Sequence, residues 1–489
     1  MKNSRLSWVM GGVVAVGLVS AGGSWWLGRE IEARHAEAFE KLALQLGANK
    51  VEDVQYERGW WRSEARAVAE VLVPADWGLG DGVDGTAQAG QAEAAAAGGD
   101  AGEAPLPVSR LRMHVVQDIR HGPLVGGAFG AAVMETRVDR VEGASDWARK
   151  AFAGVVSPVL HTQHGFDGAI TGQFRWAAGE VTNPDHAADR LAWQPLAYDF
   201  TYSGDRKRRT GKLDWPGATW RIESPEKQGQ AGLDIQLKGV KAEQALAGSL
   251  ADQWVLMPGS YWGTVEHFSV QKTGAGAQGL KTVVSLSGWR SEGKVSQEGE
   301  LLSAEESGQG QGVLMDRPLE RLRYAAELKQ LDQKAIPVLE ALVQQMNQSD
   351  GSVQSMPDGN RMVEVMQAVF SGHPSMRFRL EATAEGSTAW AEWQGNFKPL
   401  DPQEKNMPAQ LRFVRSSDTR FELNLPEPWK PIIEETVKAH APAELQECLI
   451  DCLVGYGALV FRDGAWTMDA RFDGTQGLRL NGKALFGKF

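Results

Sequence analysis

The fold class follows from residues 51–73, which read VEDVQYERGWWRSEARAVAEVLV. Apolar and polar side chains alternate over residues 51–58 and again over residues 63–73, and a period of two is typical of half-buried β-strands. Gly59 interrupts the alternation, and a residue without a Cβ suits a sharp change of chain direction. The stretch therefore predicts a strand, a corner and a second strand.

The same alternation recurs along the chain between glycine and proline residues. Long strands with short connections favour antiparallel pairing, because parallel pairing requires crossover helices. We therefore expect an extended antiparallel sheet. Its predicted strands lie at residues 111–119, 131–141, 169–176, 191–202, 212–222, 233–240, 265–272, 280–289, 376–382, 389–397, 458–461, 466–472 and 478–480.

A few short helices are predicted at the rim of this sheet. Apolar residues recur with helical spacing over residues 361–370. A strand that passes straight into a short amphipathic helix occurs at residues 237–250, at 328–346 with Asp332 as N-cap and, more loosely, at 421–440, which suggests an internal repeat. The predicted fold class is α+β, dominated by β.

The composition excludes several classes of protein. The chain has 489 residues, of which 42% are hydrophobic and 23% charged, with a net charge of −11 and two cysteines. These values exclude a wholly disordered chain, a collagen, a coiled coil, a polytopic membrane protein and a disulfide scaffold. The acidic balance argues against nucleic acid as a partner, because phosphate binding requires a basic face.

The N-terminus predicts a single membrane span. Residues 6–28 carry no charged side chain, and as a helix they extend roughly 34 Å, which is enough to cross a bilayer. Lys2 and Arg5 precede the span, so the positive-inside rule places residues 1–5 in the cytoplasm and the bulk of the chain outside it. Trp25 and Trp26 lie where the outer aromatic belt is expected.

Three further expectations concern the same end of the chain. The small residues Val19, Ser20 and Ala21 also suit a signal peptidase, so a cleaved signal peptide is the alternative to an anchor. Residues 29–50 predict a juxtamembrane amphipathic helix. Gly17 and Ala21 form a small-xxx-small pair, which hints at a homodimer through the anchors.

Residues 78–106 predict a disordered insertion. They comprise eight glycines, nine alanines and five acidic residues, with no lysine or arginine, so they contain too little apolar surface to form a core. Strands are predicted on both sides, which places the insertion at a hairpin tip, where growth is tolerated. The remainder divides into a β-rich region at 51–310 and an α+β region at 311–489.

No catalytic, cofactor or metal site is predicted from motifs. Residues 274–279, GAGAQG, match the dinucleotide-binding pattern, but a strand follows them instead of a helix, which indicates a hairpin loop. His161 and His164, and likewise His114 and His121, lack further ligands at zinc spacing. The chain contains no nucleophile elbow, no Walker loop and no zincin motif.

Two residue clusters, the cysteine pair and a basic run, and the tryptophans also bear on the function. Cys448 and Cys452 lie four apart on a predicted helix, where a bridge would be strained, so two free and buried cysteines are expected. The basic run Arg206, Lys207, Arg208 and Arg209 predicts a solvated hairpin tip or a contact with anionic lipid head groups. The 18 tryptophans suit sheet packing or an apolar groove for a long ligand.

Three local motifs carry a family resemblance: YERGWWRS at residues 56–63, HGP at 121–123 and LRLNGK at 478–483. Together with the N-terminal span, they make the chain resemble the YdgA-like family of bacterial proteins, a domain of unknown function behind an inner-membrane anchor. The resemblance implies a periplasmic body without assigned catalytic residues. The family-motif residues, for which we expect structural roles, are Tyr56, Arg58, Gly59, Trp60, Ser63, His121, Gly122, Pro123, Asn481 and Gly482.

Three functions remain open from the sequence. The first is a non-catalytic envelope protein that binds a lipid-like ligand or protein partners at the inner membrane. The second is an envelope hydrolase or transferase whose site is assembled from scattered residues such as His121, Arg58 and a nearby acid. The third is a structural homodimer that spans part of the periplasm.

Overall fold

Antiparallel β-strands dominate the part of the chain that the computed structural model describes. That part comprises residues 48, 50–74, 108–122, 124–125, 128–145, 149–150, 153–183, 186–222, 232–248, 256–273, 281–348, 359–400, 412, 415–437, 449–474 and 476–485. The strands pair in a large antiparallel sheet, and the helices are few and short, so the predicted β-dominated class is confirmed. The predicted span at 6–28, the insertion at 78–106, the loop at 274–279, Pro123 and nearly all of the predicted helix at 29–50 lie outside the described residues.

The strands follow one another along the whole described chain. In order, they are β1 (Lys50–Glu57), β2 (Arg62–Pro74), β3 (Val108–His121), β4 (Leu124–Val125), β5 (Ala128–Phe129), β6 (Ala132–Glu142), β7 (Val159–His164), β8 (Ile170–Trp176), β9 (Gly179–Asn183), β10 (His186–Trp193), β11 (Leu196–Tyr202), β12 (Arg208–Ile222), β13 (Gly232–Ala247), β14 (Gly259–Thr273), β15 (Lys281–Glu298), β16 (Leu301–Leu314), β17 (Arg317–Asp332), β18 (Ser375–Ala384), β19 (Ser387–Phe397), β20 (Ser417–Pro426), β21 (Val460–Arg462), β22 (Ala465–Asp473), β23 (Gly477–Leu480) and β24 (Lys483–Ala484).

The helices whose bounds the structure describes lie in the C-terminal part of the chain. They are α1 (Ala335–Gln348), α2 (Gly359–Phe370), α3 (Lys430–Val437), which follows a 3-10 turn at Glu427–Trp429, and α4 (Leu449–Gly455). The helices expected after Asp332, near residues 361–370 and after Pro426 are confirmed. Asp332 accepts a hydrogen bond from the backbone N–H of Lys334 at 2.9 Å, as a residue at a helix start does. None of the helices in the described part is both long and apolar enough to cross a bilayer.

The chain divides into two compact units. The first consists of Met1–Asp214 and Val343–Met356, and its ladder runs β1, β2, β3, β6, β7, β8, β11 and β12, each strand antiparallel to the next. Ala65, Ile119 and Ala132 are buried together in this unit, with Tyr56 and Met134 packed against them. The predicted division at 310/311 falls inside β16 and stays a prediction.

The second unit consists of Trp215–Leu342 and Pro357–Phe489. From β14 to β20 every strand pairs antiparallel with its predecessor, and β20 then pairs with β22. Two helical clusters cover parts of one sheet face. Ile432 of α3 and Ile450 of α4 pack with Leu425 and Trp466, while Phe370 of α2 packs with Phe397, Met376 and Trp393.

Three expectations are wrong. Residues 241–247 continue β13 instead of forming a helix, because residues 241–246 pair with β14, so the first member of the suggested repeat is not a strand that passes into a helix. Residues 191–202 form two strands, β10 and β11, with Pro195 at the break, where a residue without an N–H cannot continue a ladder.

The cysteines are the third correction. Cys452 is disulfide-bonded and half-buried, and the sequence contains one other cysteine, Cys448, which lies outside the described residues. The expected pair of free, buried thiols is therefore wrong. A bridge over four residues is strained only within one regular helix, and the described α4 begins at Leu449.

Candidate functional site

The first family motif forms a buried corner in the first unit. Ser63 lies at the start of β2 and His121 at the end of β3, so antiparallel pairing brings the two together. The Ser63 hydroxyl and His121 Nε2 hydrogen-bond at 3.0 Å, and each residue is 2% exposed. A hydroxyl so enclosed is not reached by a substrate, which favours a structural role over a nucleophilic one.

Backbone hydrogen bonds complete this corner. The N–H of His121 donates to the carbonyl of Trp61 at 3.0 Å, and the N–H of Gly59 donates to the Ser63 hydroxyl at 3.4 Å. A Cβ at Gly59 would lie 2.2 Å from the carbonyl oxygen of Arg62, so only glycine fits there. The N–H of Gly122 donates to the carbonyl of Ala131 at 3.1 Å.

The other residues of the motif point elsewhere. Tyr56 is half-buried against the core of the first unit, whereas Arg58 is exposed and Trp60 is 64% exposed. Arg58 and His121 thus differ in accessibility, and the combination expected of a hydrolase is not gathered in one cleft. Whether the protein is an enzyme stays open.

The C-terminal motif is a second structural corner. Asn481 Nδ2 donates to the carbonyls of Gly457 at 2.9 Å and Ala458 at 3.1 Å, while its Oδ1 accepts the N–H of Asp469 at 2.9 Å. Asn481 has φ +50° and Gly482 φ +82°, the left-handed region that Asn and Gly adopt most readily. Asn481 thereby joins the β23–β24 turn to the end of α4 and to β22.

The basic run lies at the turn between β11 and β12, as expected of a hairpin tip. Lys207 and Arg208 are exposed, while Arg206 and Arg209 are half-buried. Asp205 accepts hydrogen bonds from Ser203 and from the N–H of Lys207, which fixes the turn. The run therefore presents two outward cations instead of four.

Three histidines lie on strands of the first unit, His114 on β3 and His161 and His164 on β7. Burial, helped by the charge of Arg206, lowers the pKa of His164 to about 4, so this imidazole is neutral at physiological pH. His114 lies 3.0 Å from Glu142, and His161 lies 3.6 Å from Glu135. Within the described ranges, no three His, Cys, Asp or Glu side chains are grouped as metal ligands.

An apolar band crosses one face of the second unit. Residues directly opposite each other on neighbouring strands point to the same side of a sheet. The pairing of β18 with β19 and of β19 with β20 therefore places six side chains on this face, in two adjacent rows. We call these residues the apolar band: Phe378, Leu380, Ala391, Trp393, Phe421 and Leu423.

The band lies between the two helical clusters. Leu423 packs against the cluster of α3 and α4, and Trp393 packs against the cluster of α2. Between them, Phe378 is 46% exposed and Leu380 is 41% exposed. Contiguous apolar surface of this kind marks a site for an apolar partner or ligand.

The opposite face of the same strands is charged. Glu392, 4% exposed, accepts two hydrogen bonds from Arg377 and one from Arg379, and chiefly the bonds from Arg377 hold its pKa at about 2. A cleft of about 310 Å³ beside it is lined by Arg323, Tyr324, Ala325, Glu327, Arg377, Arg379 and Glu381. The lining contains three arginines and two glutamates, and two of the arginines form ion pairs within it, Arg377 with Glu327 and Arg379 with Glu381.

The sequence did not single out the band. Alternation in β18 and β19 indicates strands, but the rows form only through the pairing of strands whose residues lie up to 45 positions apart in sequence, as Phe378 and Leu423 do. The available signal was the apolar residue at every second position of three successive predicted strands.

Comparison with known proteins identifies a family for the chain. No curated protein and no solved structure matches the chain. One family, described as bacterial proteins of unknown function (DUF945), matches residues 4–484, which is nearly the whole length and includes both structural corners. The chain therefore belongs to the DUF945 family of bacterial proteins of unknown function.

Proposed function

We propose that this protein is a membrane-anchored, non-catalytic component of the bacterial envelope, and that its sheet binds the acyl chain of a lipid along the apolar band. The observation that carries the proposal is the exposure of Phe378 and Leu380, 46% and 41%, on a face whose flanks are covered by helices. Burying such side chains under a hydrocarbon chain stabilises the complex by about 25 cal/mol per Å² of apolar surface removed from water.

The shape of the band supports an elongated ligand. Its two rows run across strands β18, β19 and β20, and they continue into Met468 and Ala470 on β22. Neighbouring strands are about 4.8 Å apart, so the rows extend further across the sheet than along it. A single acyl chain laid between the rows would contact every residue of the band.

Photo-crosslinking in living cells tests this proposal. A photoreactive phenylalanine analogue at residue 378 is expected to form adducts with lipid, identified by mass spectrometry of the purified chain. The matched control carries the analogue at Phe166, which is 49% exposed but lies in the first unit, and no lipid adduct is expected there.

A second variant shows whether the adduct depends on the band. Leu380→Asp places a charge beside residue 378 and is expected to abolish the adduct, because burying a charge under hydrocarbon is costly. Equal adducts at residues 378 and 166, or no lipid at residue 378, would overturn the proposal.

We also propose the inner membrane as the location, with the N-terminus in the cytoplasm and the bulk of the chain in the periplasm. Lys2, Arg5 and the uncharged residues 6–28 support this orientation. The disulfide at Cys452 adds support, because disulfides persist in oxidising compartments. The motif residues further support assignment to the YdgA-like group within the family. The formation of a homodimer stays a prediction, and light scattering of the purified protein tests it.

The basic turn supplies a second contact with the membrane in this proposal. Lys207 and Arg208 are its exposed cations, and each basic residue near an anionic surface contributes about 1 kcal/mol. Reversing both charges, Lys207→Glu with Arg208→Glu, is expected to weaken flotation of the soluble portion with anionic vesicles. Lys483→Glu on the exposed β24 is the control, and unchanged flotation of the double variant would count against the contact.

A further inference from the structure

A single carboxylate extends the row of Phe378 in the apolar band. The register pairs Glu306 of β16 with Ala326 of β17, and Ala326 with Phe378 of β18. Glu306 and Phe378 therefore point to the same face and lie two strands apart, roughly 10 Å. The neighbouring residue Glu305 is exposed on the opposite face.

Aromatic side chains surround this carboxylate. The hydroxyl of Tyr261 donates to Glu306 Oε2 at 3.0 Å, and the hydroxyl of Tyr324 donates to Oε1. Trp289 stacks on Tyr324 with ring centroids 5.7 Å apart and an interplanar angle of 10°. Three rings from three strands thus enclose one acid.

The charge in this cluster is negative. Burial raises the pKa of Tyr261 to about 12 and raises that of Tyr324 as well, so both phenols remain neutral hydrogen-bond donors to the Glu306 carboxylate. Its hydrogen-bond partners are these two phenols, and in the described part of the chain no cationic side chain forms an ion pair with it. The carboxylate is half-buried and without a counter-charge.

Such a group selects a particular ligand chemistry. An ionised carboxylate accepts about four hydrogen bonds, and the two phenols occupy part of that capacity. Aromatic faces attract cations, and Trp and Tyr around an acid form the kind of cage that binds ammonium groups. An anionic head group would be repelled, and a neutral one would leave the charge uncompensated.

We infer that Glu306, Tyr261, Tyr324 and Trp289 bind the ammonium group of an amine-bearing lipid whose acyl chain lies on the apolar band. This inference rests on the proposed function. From β16, which carries Glu306, to β20, which carries Phe421, there are four strand steps, or roughly 19 Å. A long acyl chain fits this distance with its head group at Glu306.

Calorimetric titration of the full-length protein in a maltoside micelle tests the inference with three probes of equal chain length. They are octyltrimethylammonium, octanol and octanoate. We expect the ammonium probe to bind at least about tenfold more tightly than the other two, as a desolvated cation–aromatic site predicts. E306Q is expected to lose this preference, and E305Q, the matched control on the opposite face, is expected to keep it.

The outcomes separate this inference from the proposed function. Equal binding of all three probes to the unaltered protein, or a preference that survives in E306Q, would overturn the ammonium site while leaving the acyl-chain proposal supported. Absence of binding by every probe would count against both. The comparison of probes on the unaltered chain stands even where a variant fails to fold.

Discussion

At the scale of single residues, aromatic rings cover glycines on neighbouring strands of the sheet. In four directly opposed pairs, the ring lies where the glycine side chain would be. A Cβ at these glycines would lie 2.0–2.3 Å from the ring, so the glycines serve the packing of their partners. The pairs are Gly172 with Phe200, Gly179 with Trp193, Gly293 with Tyr261 and Gly308 with Tyr324.

Gly308→Ala tests this packing. The new Cβ would lie 2.3 Å from the Tyr324 ring and 2.7 Å from the Trp289 ring, so both rings must move. We expect the free energy of unfolding to fall by about 1–3 kcal/mol, the usual cost of overpacking. Urea unfolding measures the change, and Gly154→Ala, where nothing lies within 4 Å of the added Cβ, is the control. Equal midpoints for the two variants would contradict the prediction.

Glu392 predicts a pH dependence of stability. Its folded-state pKa of about 2 lies below the ordinary value, so ionised Glu392 stabilises the fold above pH 4.5 and loses that contribution as the pH falls towards 2. We expect Glu392→Gln to remove at most about 3 kcal/mol at pH 7 and to flatten the stability profile in that acidic range. Glu298→Gln, at an exposed strand end, should leave the profile steep. A parallel profile for both variants would exclude this role.

At the scale of elements, side-chain hydrogen bonds tie strand ends and turns together. Ser63 and His121 join the corner after β1 to the end of β3, and Asn481 joins the β23–β24 turn to α4. Both groups of residues belong to the sequence motifs. Their shared role is to fix where strands begin and end, since a ladder alone does not fix its own length.

Ser63→Ala and His121→Ala are expected to be coupled. Each single change leaves a buried partner without its hydrogen bond, at a cost of about 1–3 kcal/mol. The double variant should therefore lose less than the sum, with a coupling energy of about 0.5–3 kcal/mol. Chemical denaturation of the four proteins provides the values, and Trp60→Ala, at a 64% exposed position, should change stability little. Strict additivity would show that the bond contributes nothing.

At the scale of the whole molecule, the described chain comprises two units, each with its own buried core. The apolar band, the aromatic side chains around Glu306 and the buried ion pair of Glu392 all lie in the second unit, and the basic turn and the Ser63 corner lie in the first. Substitutions in the band therefore leave the basic turn intact, which makes the two proposed lipid contacts separable by experiment.

The anchor prediction is tested on the full chain. We expect the protein to remain in the membrane fraction after alkaline extraction and to keep residues 1–21, because the uncharged run continues past Ala21 to Gly28. Intact mass spectrometry of the purified chain checks this. A mature N-terminus at Gly22 would instead establish cleavage.

Much of the sheet was predictable, and the exceptions have a physical cause. Alternation identified strands such as β18 and β19, where apolar residues occupy every second position. It missed β16, LLSAEESGQGQGVL, because Gly308 and Glu306 stand on the face where apolar residues were expected. Their surroundings, the rings of Tyr324, Tyr261 and Trp289, come from other strands.

The functional features depend on the same non-local pairing. The motif residues were visible as sequence, but the contact between Ser63 and His121 spans 58 residues. Residues 241–247 carry a helical pattern and still form a strand, because residues 241–246 pair with β14. Tertiary pairing outweighs local propensity at such positions.

The pairing of each strand from β14 to β20 with its predecessor also bears on how the chain acquires its fold. Every one of these strands finds its partner already in place, even where α1 and α2 lie between β17 and β18, so the ladder can grow one strand at a time. A polypeptide synthesised from its N-terminus can therefore assemble this ladder in the order of synthesis. The partner of β20 is β22, which follows α3 and α4 and pairs in turn with β21 and β23, so the side of the apolar band next to β20 is completed only when the C-terminal strands have been made.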